Sequence, residues 1–481
     1  MKKIILFLIL NFFSDVSFGQ KRNTETKQKI DDYIKNVMKI NEIPGAALAV
    51  VKNGKVIYEG YFGKASLEEN KVVDKKTLFR VYSNTKLMTT VGIFQLIEKG
   101  KLSLEDKISV HLDNLSDEWK NIKVQNLLTH SSGLPEIFRF EDIPVTLSDE
   151  EKIMKLGKKP MQFVTGSQFG YNQTNYFLLK KIIEKITNLT FDDYILKNQF
   201  STAKMNAIFS SNSSDKIANG ATKYDFNHKE KKYEKSFQLN GISSHSANGM
   251  NITLQEFLKW NEKLDKNVLL NEQTKKAMWQ PFNFANNEDS FMNGWGIYTT
   301  NKVPSYGFSG GNETAFRKFI ENDMTIIFLS NGHKFASLYV QDQVVNHVAG
   351  IIDNNLIDNY LNANEDITDK FVEKDFLVAE QNYLTIKKKK PEWNFEEKLN
   401  NIGYTFLRID RITDAINVFE LNTKENPTSG NAFDSLAEGY FDNKQLELSK
   451  KNYQKSLLLD PKNNNAKSMI TKIENILNDK K

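Results

Sequence analysis

Ser83-Asn84-Thr85-Lys86 places a serine three residues ahead of a lysine, at what reads as the first turn of a helix. That spacing sets both side chains on one helical face. A serine hydroxyl is a weak nucleophile at neutral pH and needs a neighbouring base. A lysine held out of water beside it, with its pKa lowered, supplies that base or orients the group that does. The helix N-terminus adds positive potential where negative charge develops. The pair therefore suits acyl transfer through a covalent intermediate on Ser83. Two further copies of the spacing, Ser201-Thr202-Ala203-Lys204 and Ser213-Ser214-Asp215-Lys216, lack its context. Only Ser83 stands between a β-leaning run, Leu78-Phe79-Arg80-Val81-Tyr82, and a strongly periodic apolar pattern from Leu87 to Leu96.

Other chemistries find less support. Gly307-Phe308-Ser309-Gly310-Gly311 matches a Gly-x-Ser-x-Gly nucleophile elbow, with Asp323 and His333 downstream. That elbow needs a helix after the serine, whereas the residues that follow alternate like a strand and turn at Asn322-Asp323. The six histidines show no His-x-x-x-His or acidic pairing at ligand spacing, so no metal site is expected. No Gly-rich phosphate loop is present and no cofactor is expected. His130 is expected to hold a loop by hydrogen bonding.

Leu127-Leu128-Thr129-His130-Ser131-Ser132-Gly133-Leu134-Pro135 closely resembles a signature of the class C β-lactamase and D-Ala-D-Ala carboxypeptidase/esterase family. So do Phe79–Lys86 around the serine, Gly294-Trp295-Gly296, and Gly307–Gly311, in matching order across about residues 24–355. The resemblance implies that Ser83 is acylated and that Lys86 shares its proton network. It implies that Tyr171, in the place of the tyrosine of a Tyr-x-Asn element, helps as general base. The third position of that element is Gln173 here, one methylene longer, with Asn172 and Asn175 adjacent. Phe308-Ser309-Gly310 stands where the family carries Lys or His, a small residue and Gly on the strand lining the site. The N–H of Gly311 would pair with that of Ser83 as an oxyanion hole, and backbone donors are indifferent to the charge at position 308. What Phe308 removes is a cation for a substrate carboxylate. β-Lactams and peptides ending in D-alanine carry that carboxylate, so a neutral ester or amide is the expected substrate. Arg317 and Lys318 are nearby cations whose direction the sequence leaves open. The alternative is a catalytically weak or inactive binding or sensing module that keeps the fold.

The elements that would hold these residues read as an α+β domain. Lys27–Ile40 is an amphipathic helix with Ile30, Tyr33, Ile34, Val37 and Met38 on one face. Ala46–Val51 and Val56–Phe62 flank Asn53-Gly54, a hairpin signal because a type I′ turn needs positive φ at both central residues. The helix from Leu87 stops at Gly100, and Phe177–Ile186 and Leu254–Leu264 are further helices. Ala315–Ile320 and Met324–Leu329, joined by Glu321-Asn322-Asp323, form a second hairpin. The expected unit is an antiparallel sheet flanked by helices, with a helical subdomain, completed by strands from its two ends.

From Asp366 to Lys481 the pattern is all-α and repeats at 34 residues. The offset pairs Pro427 with Pro461, Leu399 with Phe433, Ile402 with Leu436, Gly403 with Ala437, Phe406 with Tyr440, Ala415 with Ser449, and Phe419 with Tyr453. This resembles tetratricopeptide repeats. Ala379, Tyr383 and Pro391 fit a degenerate earlier repeat, and Met469–Leu477 fits a capping helix. The domains expected are a signal peptide over 1–19, a hydrolase domain over 24–355, a helical linker or degenerate repeat over 356–395, and repeats with a cap over 396–481.

Lys2 and Lys3 before the apolar run Ile4–Phe13, then Ser17 and Gly19, read as a signal peptide cleaved before Gln20. The run is too short to span a bilayer, so no transmembrane segment is expected after cleavage. The mature protein is expected to be periplasmic or secreted. With no cysteine there is no disulfide, thiol nucleophile or lipoprotein attachment. The 65 basic and 60 acidic residues nearly balance at +5, which argues against a nucleic-acid partner. The expected partners are a small-molecule or peptide substrate and, through the repeats, a protein.

Overall fold

The computed structural model describes residues 24–200, 206–286, 290–335 and 338–479. The signal segment over 1–19 and the Ser201 copy of the serine–lysine spacing lie outside the described residues. The main sheet begins with β1 (Gly45–Lys52) and β2 (Lys55–Ser66). Asn53 and Gly54 between them adopt φ of 52° and 67°, as a type I′ turn requires. With β3 (Lys71–Val72), β9 (Gly296–Thr300), β10 (Val303–Gly310), β11 (Thr314–Phe319) and β12 (Met324–Ser330), they form a seven-stranded sheet ordered β3-β2-β1-β12-β11-β10-β9. The first and last strands of the unit thus lie side by side, antiparallel, with Ala46 opposite Ser330 and Lys52 opposite Met324.

The sheet is covered on both faces, and the two-residue period of β1 sorts its side chains between them. Ala46, Leu48 and Val50 share one core with Ile30, Ile34 and Val37 of helix α1 (24–40) and with Val344 and Val348 of α10 (Val340–Ile352). Ala47, Ala49 and Val51 join a second core with Leu87 and Met88 of α2 (Thr85–Glu98) and Phe257 of α8 (Leu254–Asp265). Helix α2 is buried from Thr85 through Leu96 because other elements surround it, and Gly100 ends it at φ 64°.

Around α2 lie the helical subdomain elements α3 (Val124–Leu128), α4 (Asp149–Leu156), α5 (Gln173–Thr187) and α6 (Phe191–Gln199). A three-stranded sheet joins β4 (Leu78–Arg80), β8 (Met250–Thr253) and β5 (Ala207–Phe209), and β6 (Tyr224–Asn227) pairs with β7 (Lys232–Lys235). Two short helices, α7 (His245–Asn248) and α9 (Glu272–Met278), complete the unit.

Beyond residue 355 the chain is all-helical: α11 (Asn359–Glu373), α12 (Phe376–Lys389), α13 (Glu396–Arg408), α14 (Ile412–Glu425), α15 (Gly430–Asp442), α16 (Leu446–Leu459) and α17 (Asn464–Asn478). The bounds of α15 and α16 each lie 34 residues after those of α13 and α14. A Cβ on Gly403 would stand 2.3 Å from the Phe419 ring, so the small residue lets α13 and α14 approach. The helical region is tied to the sheet domain at Tyr33. Its ring stacks on His347 at 3.8 Å, and its hydroxyl donates to Glu365 Oε1 at 2.6 Å. Among the described residues no helix is long and apolar enough to cross a membrane.

Gly307 on β10 faces Arg317 on β11, and a Cβ there would lie 1.8 Å from Phe316 O. Gly307→Ala is expected to destabilise the chain by roughly 1–3 kcal/mol through overpacking, read as a lower guanidinium midpoint. An unchanged midpoint would contradict this packing.

Candidate active site

A 3₁₀ turn over Tyr82–Asn84 leads from β4 into α2, so Ser83 sits on the turn and Lys86 in the first turn of α2. Tyr82 has φ 46°, a costly conformation for a bulky residue that persists only where the surroundings fix it. The Arg80 guanidinium lies 4.8 Å from the Tyr82 ring and is itself held by Asn248, through Nε to its carbonyl at 3.0 Å and Nη2 to Oδ1 at 2.9 Å. Thr314 Oγ1 accepts from Asn84 Nδ2 at 2.9 Å and lies 3.0 Å from Val81 O, joining the turn to β11.

The end of β10 presses on the same turn. A Cβ on Gly310 would stand 2.3 Å from Val81 O and 3.0 Å from Ser83 N. Gly311, at φ 58°, would place a Cβ 2.7 Å from the Tyr82 ring. Only glycines allow the strand to approach this closely.

Lys86 is fully buried. Its Nζ donates to Gln173 Oε1 at 2.9 Å, to Ala247 O at 2.9 Å and to Ser83 Oγ at 3.4 Å. It also lies 4.9 Å from the Tyr171 ring and 5.1 Å from that of Tyr176. Burial pulls the ammonium down to about 7, opposed by the charge of Glu136. Tyr171 OH lies 2.7 Å from Ser83 Oγ. Although Tyr171 is 41% exposed, the protein packed around its hydroxyl pushes this phenol above its ordinary value, and hydrogen bonds from Ser83 and Gln173 offset part of the rise. At neutral pH the tyrosine is therefore protonated, while the lysine stands close to its titration point.

Tyr171 and Gln173 are aimed by the start of α5. Asn172 caps that helix, accepting from Thr174 N at 2.7 Å, and its own N–H donates to His130 Nδ1 at 3.1 Å. His130, at φ 55°, stays neutral because burial, with Lys86 nearby, holds its pKa well below the usual imidazole range. The expectation that it holds a loop agrees with these contacts. Asn175 accepts from Ser132 Oγ at 2.6 Å, so neither adjacent asparagine replaces Gln173 beside Lys86.

Two members of the cluster escaped the sequence reading. Glu136 accepts from the N–H groups of Gln173 at 2.7 Å and Phe138 at 3.2 Å. Burial raises its pKa, those two bonds lower it, and Lys86 lowers it further. Its signal was its place directly after Leu134-Pro135. Ala247 contributes a backbone carbonyl, for which no residue type gives a signal.

Phe308 is 6% exposed, its ring centroid 6.1 Å from that of Tyr171 and 5.9 Å from Lys86 Nζ. Gln173, Phe308, Ser309 and Gly310 are the substrate-binding residues that the family resemblance implies, but the Ser309 hydroxyl turns to the other face of the sheet. There it donates to Asp342 Oδ1 at 2.6 Å and accepts from Arg317 Nη2 at 2.6 Å. The alternation of side chains along a strand requires this once Phe308 faces Lys86. Arg317 also donates to Phe308 O at 2.6 Å and Asp342 Oδ1 at 2.5 Å, while Lys318 pairs with Asp265 at 2.5 Å. Neither cation is aimed at Ser83. The strand β11 follows Ser309-Gly310 after a short turn, so the helix of a nucleophile elbow is replaced by a hairpin. Ser213 Oγ accepts from Gln238 N at 2.8 Å in its loop. Among the described residues no group of three or more His, Asp or Glu is placed to hold a metal ion.

A family model described as Beta-lactamase matches residues 30–349. Protein flp of Staphylococcus aureus (strain N315) is 26% identical over 345 residues, covering 67% of this chain and 67% of that protein. Penicillin-binding protein 4* of Bacillus subtilis (strain 168) is 25% identical over 315 residues, covering 60% and 68%. Among solved structures, the octameric penicillin-binding protein homologue from Pyrococcus abyssi aligns with a TM-score of 0.58 at 21% identity, covering 71% of this chain and 81% of that one. The D-amino acid amidase from Ochrobactrum anthropi SV3, complexed with L-phenylalanine, aligns at 0.57 and 19% identity, covering 69% and 99%. These structural likenesses show a shared fold.

The Lys86 amine titrates close to neutrality. Below about 7 the amine is protonated and cannot accept the Ser83 proton; above it the free amine is present. The rate of covalent labelling of Ser83 is expected to rise with pH through about 7 as a single-proton step. Lys86→Met is expected to slow labelling by roughly 10²–10⁴, the usual contribution of a general base. A flat pH profile in folded protein would contradict it.

Proposed function

The chain belongs to the Beta-lactamase family, and on that premise we propose that it is a serine hydrolase working through an acyl-enzyme on Ser83. The observation that carries this is the fully buried Lys86 amine, brought near neutral pKa, 3.4 Å from Ser83 Oγ and set against the Tyr171 ring. Enclosing a lysine amine costs several kcal/mol. In the proposed cycle Ser83 Oγ attacks the substrate carbonyl, and its proton passes to Lys86, directly or by way of Tyr171. The N–H groups of Ser83 and Gly311 stabilise the negative charge on the carbonyl oxygen. The leaving group departs with a proton, and water then releases the acid. Gln173 holds the Lys86 amine in position.

The substrate proposed is a neutral ester or amide. Phe308 offers an aromatic surface where a cation would bind a carboxylate, and Arg317 and Lys318 are engaged elsewhere. The same substitution favours a second reading, a weak or inactive binding module, and the labelling experiment separates the two. We further propose export after cleavage before Gln20. Residues 24–355 would form the hydrolase domain, 356–395 a degenerate repeat, and 396–481 tetratricopeptide-like pairs that hold a protein partner.

A fluorophosphonate probe is expected to add once to the mature protein, on Ser83, by intact mass and peptide mapping. Ser83→Ala should abolish the adduct and Ser309→Ala should leave it. Lasting absence of label in folded protein would refute the hydrolase reading. Phe308→His is expected to raise kcat/KM for a peptide ending in D-alanine relative to a neutral ester by about tenfold, the worth of one hydrogen bond to a charged group. An unchanged ratio would remove position 308 from substrate selection.

A further inference from the structure

Gly311, Asn312 and Glu313 carry the chain from β10 to β11. Gly311 and Asn312 are both left-handed, at φ 58° and 61°. The sheet contains a comparable tight turn at Asn53-Gly54, where a Cβ on Gly54 would meet nothing within 4 Å. The turn after β10 is instead held from behind by buried charge. Glu313 is 2% exposed, and its carboxylate contacts the Lys223 ammonium. Glu313 O accepts from Ser330 N at 3.1 Å and Ser330 Oγ at 2.9 Å. His333, 4% exposed, lies with Nε2 at 2.6 Å from Asn312 O. Burial takes His333 down to about 4, so the ring is neutral and Nε2 carries the proton it donates. A cavity of about 380 Å³ opens over the cluster, walled on its far side by Thr405, Arg408 and Ile409 at the end of α13 and just beyond it.

A hairpin turn has no structural need of this arrangement. A largely buried ion pair is often no more stable than an apolar pair of similar volume, and the pair beside Asn53-Gly54, Lys52–Asp353, is looser at 3.8 Å and engages no residue of that turn. We propose that Lys223, Glu313 and His333 are positioning residues that fix the Gly311 N–H against Ser83. The inference rests on the reading of Gly311 as an oxyanion donor. The device works by rigidity: a donor stabilises the developing charge only if it is already aimed when that charge appears. Lys223 anchors the Glu313 carboxylate and His333 anchors the Asn312 carbonyl, both at the cavity that opens over the turn. Gly311, directly before Asn312, is left with little freedom.

The test uses the full chain with p-nitrophenyl acetate, following the acylation burst by stopped flow, with KM and melting temperature measured alongside. Glu313→Gln and Lys223→Met are expected to slow acylation about 10- to 100-fold, a partial loss of one oxyanion donor, with KM within about twofold. Lys223→Arg should recover most of the rate. The double variant Lys223→Met with Glu313→Leu guards against unfolding, because an apolar pair tends to restore stability. It should melt like the wild type and still acylate slowly. A double variant that acylates within about twofold of the wild type would show that the pair only fills space, and would overturn the inference alone. A wild type whose Ser83 is never acylated would overturn the hydrolase reading and this inference with it.

Discussion

The amine of Lys86 has no exposure to solvent, and much of the surrounding architecture follows from keeping it there. A lysine at a helix surface would extend into water. This one cannot, because α2 runs through the middle of the domain and is buried from Thr85 to Leu96. Tyr171 and Tyr176 cover the amine with their rings, while Gln173 and the Ala247 carbonyl accept its hydrogen bonds. Aromatic faces favour a cation and burial disfavours it. Burial is the larger effect, and it leaves the amine close to neutrality at physiological pH. That compromise requires α5, α7 and β10 to close on one point from three parts of the chain.

The sheet supplies the fixed side of the closure. Because β1 pairs with β12, strands from both ends of the unit meet at its centre, and β10 is placed by register with β11. The Gly310-Gly311 end then approaches the Ser83 turn closely enough that no side chain fits. Strain at Tyr82 sits at this contact. Such strain persists only where neighbours over-determine it, as Arg80, Gly311 and the Thr314 bridge do here.

Local signals made part of this legible. Asn53-Gly54 named its own turn type, and the apolar period after Ser83 separated it from the copy at Ser213. The 34-residue offset returns as matching helix bounds, since one small residue such as Gly403 per hairpin sets how near the helices lie. What stayed hidden was long-range direction. Strand alternation puts Ser309 and Arg317 behind the sheet once Phe308 faces the site, but residue types alone do not say which of the two faces it. Glu136 and the Lys223–Glu313 pair come from distant segments. The carbonyl of Ala247 has no residue-type signature at all.

Of the two departures from the family's pattern, Gln173 and Phe308, only the second changes the charge beside Lys86. A cation at position 308 would stand near the Lys86 amine, whose nitrogen lies 5.9 Å from the Phe308 ring. Like charges at that separation push a lysine pKa down, adding to a burial effect that has already brought it to about 7. The amine would then be a weaker base. With phenylalanine there, Glu136 is left to oppose burial. Gln173 leaves the charge balance as an asparagine would, a neutral amide whose oxygen accepts from the ammonium at 2.9 Å. The substitution that removes a cation therefore also keeps the Lys86 amine near the pH at which it can both take and return a proton, as the proposed role of base requires. On the proposed hydrolase reading, position 308 redirects the site and leaves the Lys86 amine able to titrate.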